Sequence, residues 1–256
     1  MKKAILAVSY GTTIPDALRA SVEAVENEFR NCFPEYTVFR AFTGRRTMEI
    51  LEQKQMHVDS VEEALKKIAA EGFEEVILQP THIIGGSEYE SIRSTAEAYK
   101  NRFSVVKIGA PLLHSREDME TLCRFFTGAF SGIAEAVVLM GHGSGHEANR
   151  LYTEFGEICR ALGGDRLFVA TLEAKPDIGD VIPELKKRGY RKILITPLLF
   201  VAGTHACKDM AGDGKDSWKS RLEKEGFSVT AVVKGLGEYP EIRALYAGHL
   251  AAALSV

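Results

Sequence analysis

Short aliphatic runs alternate along this chain with longer segments in which apolar side chains recur every third or fourth position. The runs read as buried strands and the periodic segments as helices. "AILAVSYGT" (4–12) is the first strand, and Leu18, Val22, Val25 and Phe29 then form one face of a helix. Ser60 and Glu63 have the spacing of a capping box ahead of Val61, Leu65 and Ile68, and Gly72 stands where that helix should stop. "EEVILQPTHII" follows as a strand leading into a loop. In the second half, "EAVVLMGHGS" (135–144) is a strand, and Ala148, Leu151, Tyr152, Phe155, Ile158, Cys159 and Leu162 form a helix stripe. "RLFVATLEAKP", "RKILITPLLFVAG" and "FSVTAVVKGLG" are further strands, and Trp218 with Leu222 fits one helix face. Strands alternating with helices imply parallel sheet built from βαβ units.

The two halves repeat one another. Setting Gly11 on Gly143 aligns "ILAVSYG" with "VVLMGHG" at an offset of 132, and setting Gly72 on Gly189 aligns "GFEEVILQPTHIIGGSE" with "GYRKILITPLLFVAGTH" at 117. Gly72/Gly189, Pro80/Pro197 and Gly86/Gly203 coincide, and the apolar pattern is shared. The expectation is two similar α/β lobes, residues 1–130 and 131–256. The alignment pairs His205 with Glu88 and His142 with Tyr10. All four follow a predicted parallel strand, and in open α/β sheets ligands bind beyond the carboxyl ends of the strands.

Composition narrows the function classes. The chain has 256 residues, 45% hydrophobic and 26% charged, with 32 basic against 35 acidic side chains and a net charge of −3. No basic arm or patch calls for nucleic acid or an anionic membrane. The apolar run after Met1-Lys2-Lys3 is too short for a secretory core and is read as the first strand, so the expected location is the cytoplasm. Cys32, Cys123, Cys159 and Cys207 contain no C-x-x-C and are read as buried thiols in a reducing compartment.

The residues that could carry chemistry sit at strand ends: His142 and His146 in "GHGSGH", Glu173 in "ATLEAKP", His205 in "AGTHACKDM", and His82 with Glu88 in "PTHIIGGSEYE". Imidazoles and a carboxylate from separate strand ends suit a borderline divalent cation such as Co, Fe, Ni or Zn, and imidazole exchanges protons near neutrality. Each also has a plainer reading. A glycine-rich strand-to-helix turn serves geometry or phosphate binding. Glu173 is either paired inside or the strand ends there, and His205 alone reads as a satisfied, partly buried histidine. Tyr10 is core or pocket wall.

Taken together, "VSYGT", "THIIGGSEYE", "MGHGSGHEAN", "TLEAKPD" and "PLLFVAGTHACKDMAGDGKDSWKS" resemble the anaerobic sirohydrochlorin cobaltochelatases, the class II chelatase family of the early-cobalt-insertion cobalamin pathway. The resemblance runs from the first strand to "GLGEYPEIRALYAGHL". It implies a chelatase fold: two Rossmann-like lobes with parallel sheets related by internal duplication, and an active-site cleft between them. It implies metal ligands at His142, Glu173 and His205, with His142 also the general base and Glu88 relaying protons or steering the ion. Tyr10, Glu88, His82 and His146 are then candidates for substrate contact, and Arg45, Arg46 or Lys208 for the substrate's carboxylates. Cys207 is read as a structural thiol.

The activity implied is insertion of Co2+ into sirohydrochlorin, with the metal as substrate, no further cofactor, and no nucleic-acid or membrane partner. A homo-oligomer is compatible with it. The same residues leave room for a ferro- or nickel-chelatase acting on a related tetrapyrrole, for a non-catalytic tetrapyrrole or metal carrier, and for a zinc hydrolase, since two histidines and a glutamate also make a catalytic zinc set.

Overall fold

The computed structural model describes residues 2–255. Its strands are β1 (Lys3–Ser9), β2 (Thr37–Phe42), β3 (Glu75–Pro80), β4 (Val105–Ile108), β5 (Ala136–Gly141), β6 (Leu167–Thr171), β7 (Lys192–Pro197) and β8 (Ser228–Ala231). The α-helices are α1 (Pro15–Ala17), α2 (Ala24–Cys32), α3 (Arg45–Gln53), α4 (Val61–Ala70), α5 (Ser87–Ala98), α6 (Arg116–Ala129), α7 (Arg150–Ala161), α8 (Ile178–Lys187), α9 (Trp218–Lys224) and α10 (Pro240–Ser255). Among the described residues no helix is long and apolar enough to cross a membrane.

The strands form two four-stranded sheets, ordered β2-β1-β3-β4 and β6-β5-β7-β8, and every pairing is parallel. In each sheet the second strand joins one side of the first and the third strand joins the other. A topological switch point therefore lies between β1 and β3 and again between β5 and β7, where the loops leaving neighbouring strands part and open a crevice. This is the predicted α/β class with its duplication.

Periodicity and punctuation explain the local structure. Ser60 accepts from the Glu63 amide at 3.3 Å while Glu63 accepts from the Ser60 amide at 2.8 Å, the expected capping box of α4. That helix ends before Gly72, whose φ of +76° matches the +74° of Gly189 at the equivalent place in the second half. The stripe from Leu18 to Phe29 is helical but broken by a π-helical turn, Leu18–Glu23, so Val22, Val25 and Phe29 are buried and Leu18 is only partly so. The predicted stripe of α7 buries Tyr152, Phe155, Ile158 and Cys159, whereas Leu162 falls beyond the helix end and is exposed. Cys123 and Cys159 are buried as expected. Cys32, the last residue of α2, and Cys207, on the outer face of a turn, are instead exposed.

The chain separates into two compact units. One runs up to Leu112 and takes in the chain from Gly237 onward, and the other is Leu113–Leu236. The sequence expectation put a single division near residue 130, with everything after it in the second lobe. The units part earlier because α6 packs on α7, and the C-terminal residues return because α10 packs on α2, β3 and β4. Hydrogen bonds tie α10 there: the Tyr246 hydroxyl donates to the Thr81 carbonyl at 2.8 Å, Lys107 Nζ donates to the Leu254 carbonyl at 3.0 Å, and His249 Nδ1 lies 3.2 Å from the Ala110 carbonyl oxygen. Each unit has its own core: Leu6, Val8, Leu65, Ile68 and Leu78 in the first, and Val138, Met140, Leu185, Ile195 and Trp218 in the second.

Candidate metal site

The site is assembled at the switch point of the second sheet. Strand β5 ends at Gly141, where an added Cβ would lie 2.5 Å from the Tyr152 ring, so the close packing of α7 requires glycine. His142 comes next, and then Gly143, whose φ is +87° and whose added Cβ would meet the Ala174 amide nitrogen at 2.8 Å. A side chain at Gly143 would be strained by the backbone and would also push against the loop that carries Glu173. That loop is tied back to His142 through the Leu172 and Glu173 amides, which donate to the His142 carbonyl at 3.1 and 2.8 Å.

Two polar side chains hold these loops in register. Asn149 Oδ1 accepts from the Ser144 amide at 3.0 Å, and its Nδ2 donates to the Lys175 carbonyl at 2.8 Å, so one amide bridges the His142 loop and the Glu173 loop. Thr171, the last residue of β6, donates its hydroxyl to the Ala174 carbonyl at 2.7 Å. Beneath them is Tyr152, whose hydroxyl faces the backbone amides of His142 and Gly143. Burial holds its pKa up at about 12, so it stays protonated.

His205 opens a π-helical turn, His205–Met210, beyond β7. Ala206 and Met210 are fully buried on the inner face of this turn, while His205 and Asp209, also four residues apart, lie half-buried on another. The His205 Nδ1 is 2.7 Å from Asp209 Oδ2. A carboxylate can only accept, so Nδ1 carries the proton and Nε2 is left with a lone pair. In His142 the Nδ1 is 3.0 Å from the Gly143 carbonyl oxygen, which also only accepts, so the proton again lies on Nδ1 and Nε2 keeps its lone pair.

The result is convergence. One ligand atom each from His142, Glu173 and His205 lie within 4.8 Å of one another. The two imidazole rings meet edge to face at 5.0 Å between centroids, and His142 Nδ1 is 3.8 Å from Glu173 Oε2. All three side chains are about half exposed, at 43%, 57% and 43%, so an ion held here would keep positions open to other ligands. Glu173 is not paired inside the strand: β6 stops at Thr171, and the carboxylate stands beyond its end, half exposed and facing His142.

The other predicted residues lie elsewhere. His146 does not join the three; its Nδ1 accepts from the Ala148 amide at 3.1 Å and caps the short 3-10 turn Glu147–Asn149. Tyr10, His82 and Glu88 belong to the first unit, at the switch point of its own sheet. Tyr10 is 53% exposed and packs over Gly44. His82 follows β3, with Nε2 3.2 Å from Thr43 Oγ1 and Nδ1 enclosed without a partner, and desolvation pushes its pKa down to about 4. Glu88 is exposed in the first turn of α5. Cys207 is not among the converging ligands. Asp209 and Asn149 carry roles that the sequence reading missed. The signal for Asp209 was its position four residues after a candidate ligand on a helical turn; for Asn149 there was none beyond its place in the "MGHGSGHEAN" motif.

Comparison with known proteins finds relatives that match along the whole chain. The family model for the cobalt chelatase CbiK matches residues 3–255. The sirohydrochlorin cobaltochelatase of Salmonella typhimurium is 36% identical over 259 residues, covering 100% of this chain and 98% of that protein. The sirohydrochlorin cobaltochelatase CbiKC of Nitratidesulfovibrio vulgaris is 33% identical, covering 99% and 91%. Among solved structures, SirB from Bacillus subtilis with Fe3+ superposes with a TM-score of 0.66 at 16% identity, over 99% of this chain and 96% of the other; at that identity it speaks for the fold.

Proposed function

This chain belongs to the cobalt chelatase (CbiK) family, and from that membership we propose that it inserts Co2+ into sirohydrochlorin to give cobalt-sirohydrochlorin, as a metal chelatase of anaerobic cobalamin biosynthesis. The observation that carries the reading is the convergence of His142, Glu173 and His205, with ligand atoms within 4.8 Å of one another. The ion is consumed as a substrate, and the reaction requires no other cofactor. A reducing compartment such as the cytoplasm suits it, since Cys32, Cys123, Cys159 and Cys207 are all free thiols.

Metal insertion replaces two pyrrole N–H protons by one divalent ion. The site must therefore strip water from the cation, hold it, let it go, and take up protons. Two imidazoles and one carboxylate are borderline donors that displace water yet bind less tightly than thiolates, so four ring nitrogens can outcompete them. His142 serves first as a ligand and then as the general base. Its Nε2 lone pair can hold the ion or a proton but not both, which couples proton uptake to release of the metal. Glu173 and His205 retain the ion during that exchange.

Glu88 is assigned to relay the second proton or steer the cation, which its exposed carboxylate can do. Tyr10, His82 and His146 are assigned to the substrate. His82, with a pKa of about 4, acts there only as a neutral imidazole.

The test is anaerobic absorbance spectroscopy with sirohydrochlorin and Co2+, comparing the wild type with His142→Ala and His205→Ala at matched folding. Metalation faster than the enzyme-free control, lost in both variants, is the expected result. Pigment binding without acceleration of Co, Fe or Ni insertion would make the protein a carrier and remove the general-base assignment.

A further inference from the structure

The two histidines are backed by different groups. The His142 Nδ1 proton is directed to a neutral backbone carbonyl at 3.0 Å, with the nearest carboxylate, Glu173, at 3.8 Å and outside hydrogen-bond range, whereas the His205 Nδ1 proton is directed to a carboxylate at 2.7 Å. Resting on the metal-site reading above, we propose that Asp209 is a positioning residue that fixes His205 with its proton on Nδ1 and makes its Nε2 the stronger of the two imidazole donors, so that His205 anchors the cation while His142 releases it.

The argument starts from tautomers. A neutral imidazole left to itself favours the proton on Nε2, which would block the nitrogen that has to bind metal; the partner of Nδ1 decides which nitrogen is free. A charged acceptor makes that hydrogen bond shorter and stronger than a neutral one and pushes electron density toward Nε2. The turn is built to hold the pair: His205 and Asp209 share one face while Ala206 and Met210, buried on another, fix its orientation. As an ordinary surface ion pair between side chains 43% and 46% exposed, the contact would contribute little to folding. Its effect is instead expected on the ligand, since carboxylates behind metal-binding histidines typically change metal affinity by about 10–100-fold.

The asymmetry fits the chemistry. A site whose ligands were all equally strong would have no defined order of release. With Asp209 behind His205 alone, His142 is the donor that yields first, and it is also the one whose lone pair is needed for a proton.

The test uses the full-length apo protein without pigment. Co2+ is titrated anaerobically and followed by its visible d–d absorption in the wild type, Asp209→Asn and Asp209→Ala, with circular dichroism to verify folding. In parallel, 15N-histidine NMR at a pH where imidazole is neutral reads the tautomer of each ring. The expected result is wild-type His205 protonated on Nδ1, a shift toward Nε2 protonation in Asp209→Ala with His142 unchanged, and Co2+ affinity lower by about 10–100-fold in both variants. Co2+ affinity in Asp209→Asn equal to the wild type, or a wild-type His205 protonated on Nε2, overturns the proposal, and neither result depends on the alanine variant folding. A wild type that gives no Co2+ band at all would instead sink the metal-site reading itself, and the proposal with it.

Discussion

The two halves of this chain share a backbone and differ in what they place on it. The Gly44 amide donates to the Tyr10 carbonyl at 3.0 Å as the Glu173 amide does to His142 at 2.8 Å, and the Thr43 amide to Ser9 at 3.0 Å as Leu172 does to Gly141 at 3.0 Å. The Thr81–Val8 bond at 2.8 Å has its counterpart in Leu198–Met140 at 2.8 Å, and Leu112–His82 at 2.9 Å in Leu236–Leu199 at 2.9 Å. Gly11 and Gly143 both have positive φ, at +95° and +87°. Yet where the second unit has His142, Glu173 and His205, the first has Tyr10, Gly44 and Glu88. The Glu173–Gly44 match follows from the register, because each lies two residues beyond the paired ends Gly141↔Thr171 and Ser9↔Phe42. A switch-point crevice comes with the topology, whereas a metal site needs three particular side chains on it.

Making the second unit resemble the first is the strongest way to break the comparison. His142→Tyr, the residue found in the first unit, is expected to lower chelation by about 10²–10⁴-fold, the usual loss of a general base, while thermal unfolding stays near that of the wild type. Unfolding temperatures and anaerobic metalation rates read the two separately; a variant that still metalates at the wild-type rate would show that His142 is dispensable.

Next in size is a glycine pair. Gly11→Ala and Gly143→Ala each force a side chain into left-handed backbone, against the Phe42 ring in one case and against Ala174 and Thr171 in the other. Each should cost about 1–3 kcal/mol in denaturant unfolding. Co2+ affinity should fall only for Gly143→Ala, whose clash moves the Glu173 loop, and an equal loss in Gly11→Ala would contradict the placement of the metal in the second unit.

The effect most restricted in its conditions, since it appears only at acid pH, concerns His82, whose counterpart in the second unit is Leu199. Its folded-state pKa of about 4 lies below the ordinary value of 6.5. Above pH 6.5 the ring is neutral folded or unfolded, so no stability is lost there; as pH falls from about 6.5 to 4 the unfolded chain takes up a proton that the folded one resists. His82→Leu should therefore remove about 1–3 kcal/mol of acid destabilisation in that window. Parallel stability–pH curves for the variant and the wild type would contradict this account of His82.

Much of this was legible in the chain itself. The capping box of Ser60 and Glu63, the glycines that end helices, the buried runs of β1, β3, β5 and β7, and the duplication are local patterns, and local geometry enforces them. Strands β2 and β4 escaped notice because they are only partly buried and their composition does not alternate cleanly. The three converging residues were legible through their motifs; read singly, Glu173 and His205 had equally good structural explanations.

What the sequence determined by itself is therefore the set of elements, their repetition and the residue types at the strand ends, because periodicity and backbone preference act over a few neighbours. Only the tertiary structure decided that His142, Glu173 and His205, about thirty residues apart in sequence from one to the next, bring their ligand atoms within 4.8 Å of one another. It also decided that α10 returns to the first unit and that Asp209 orients one histidine while a carbonyl orients the other. Those outcomes depend on which strands lie side by side and on how each loop is tied down, and both are set by packing across the sheet rather than by order along the chain.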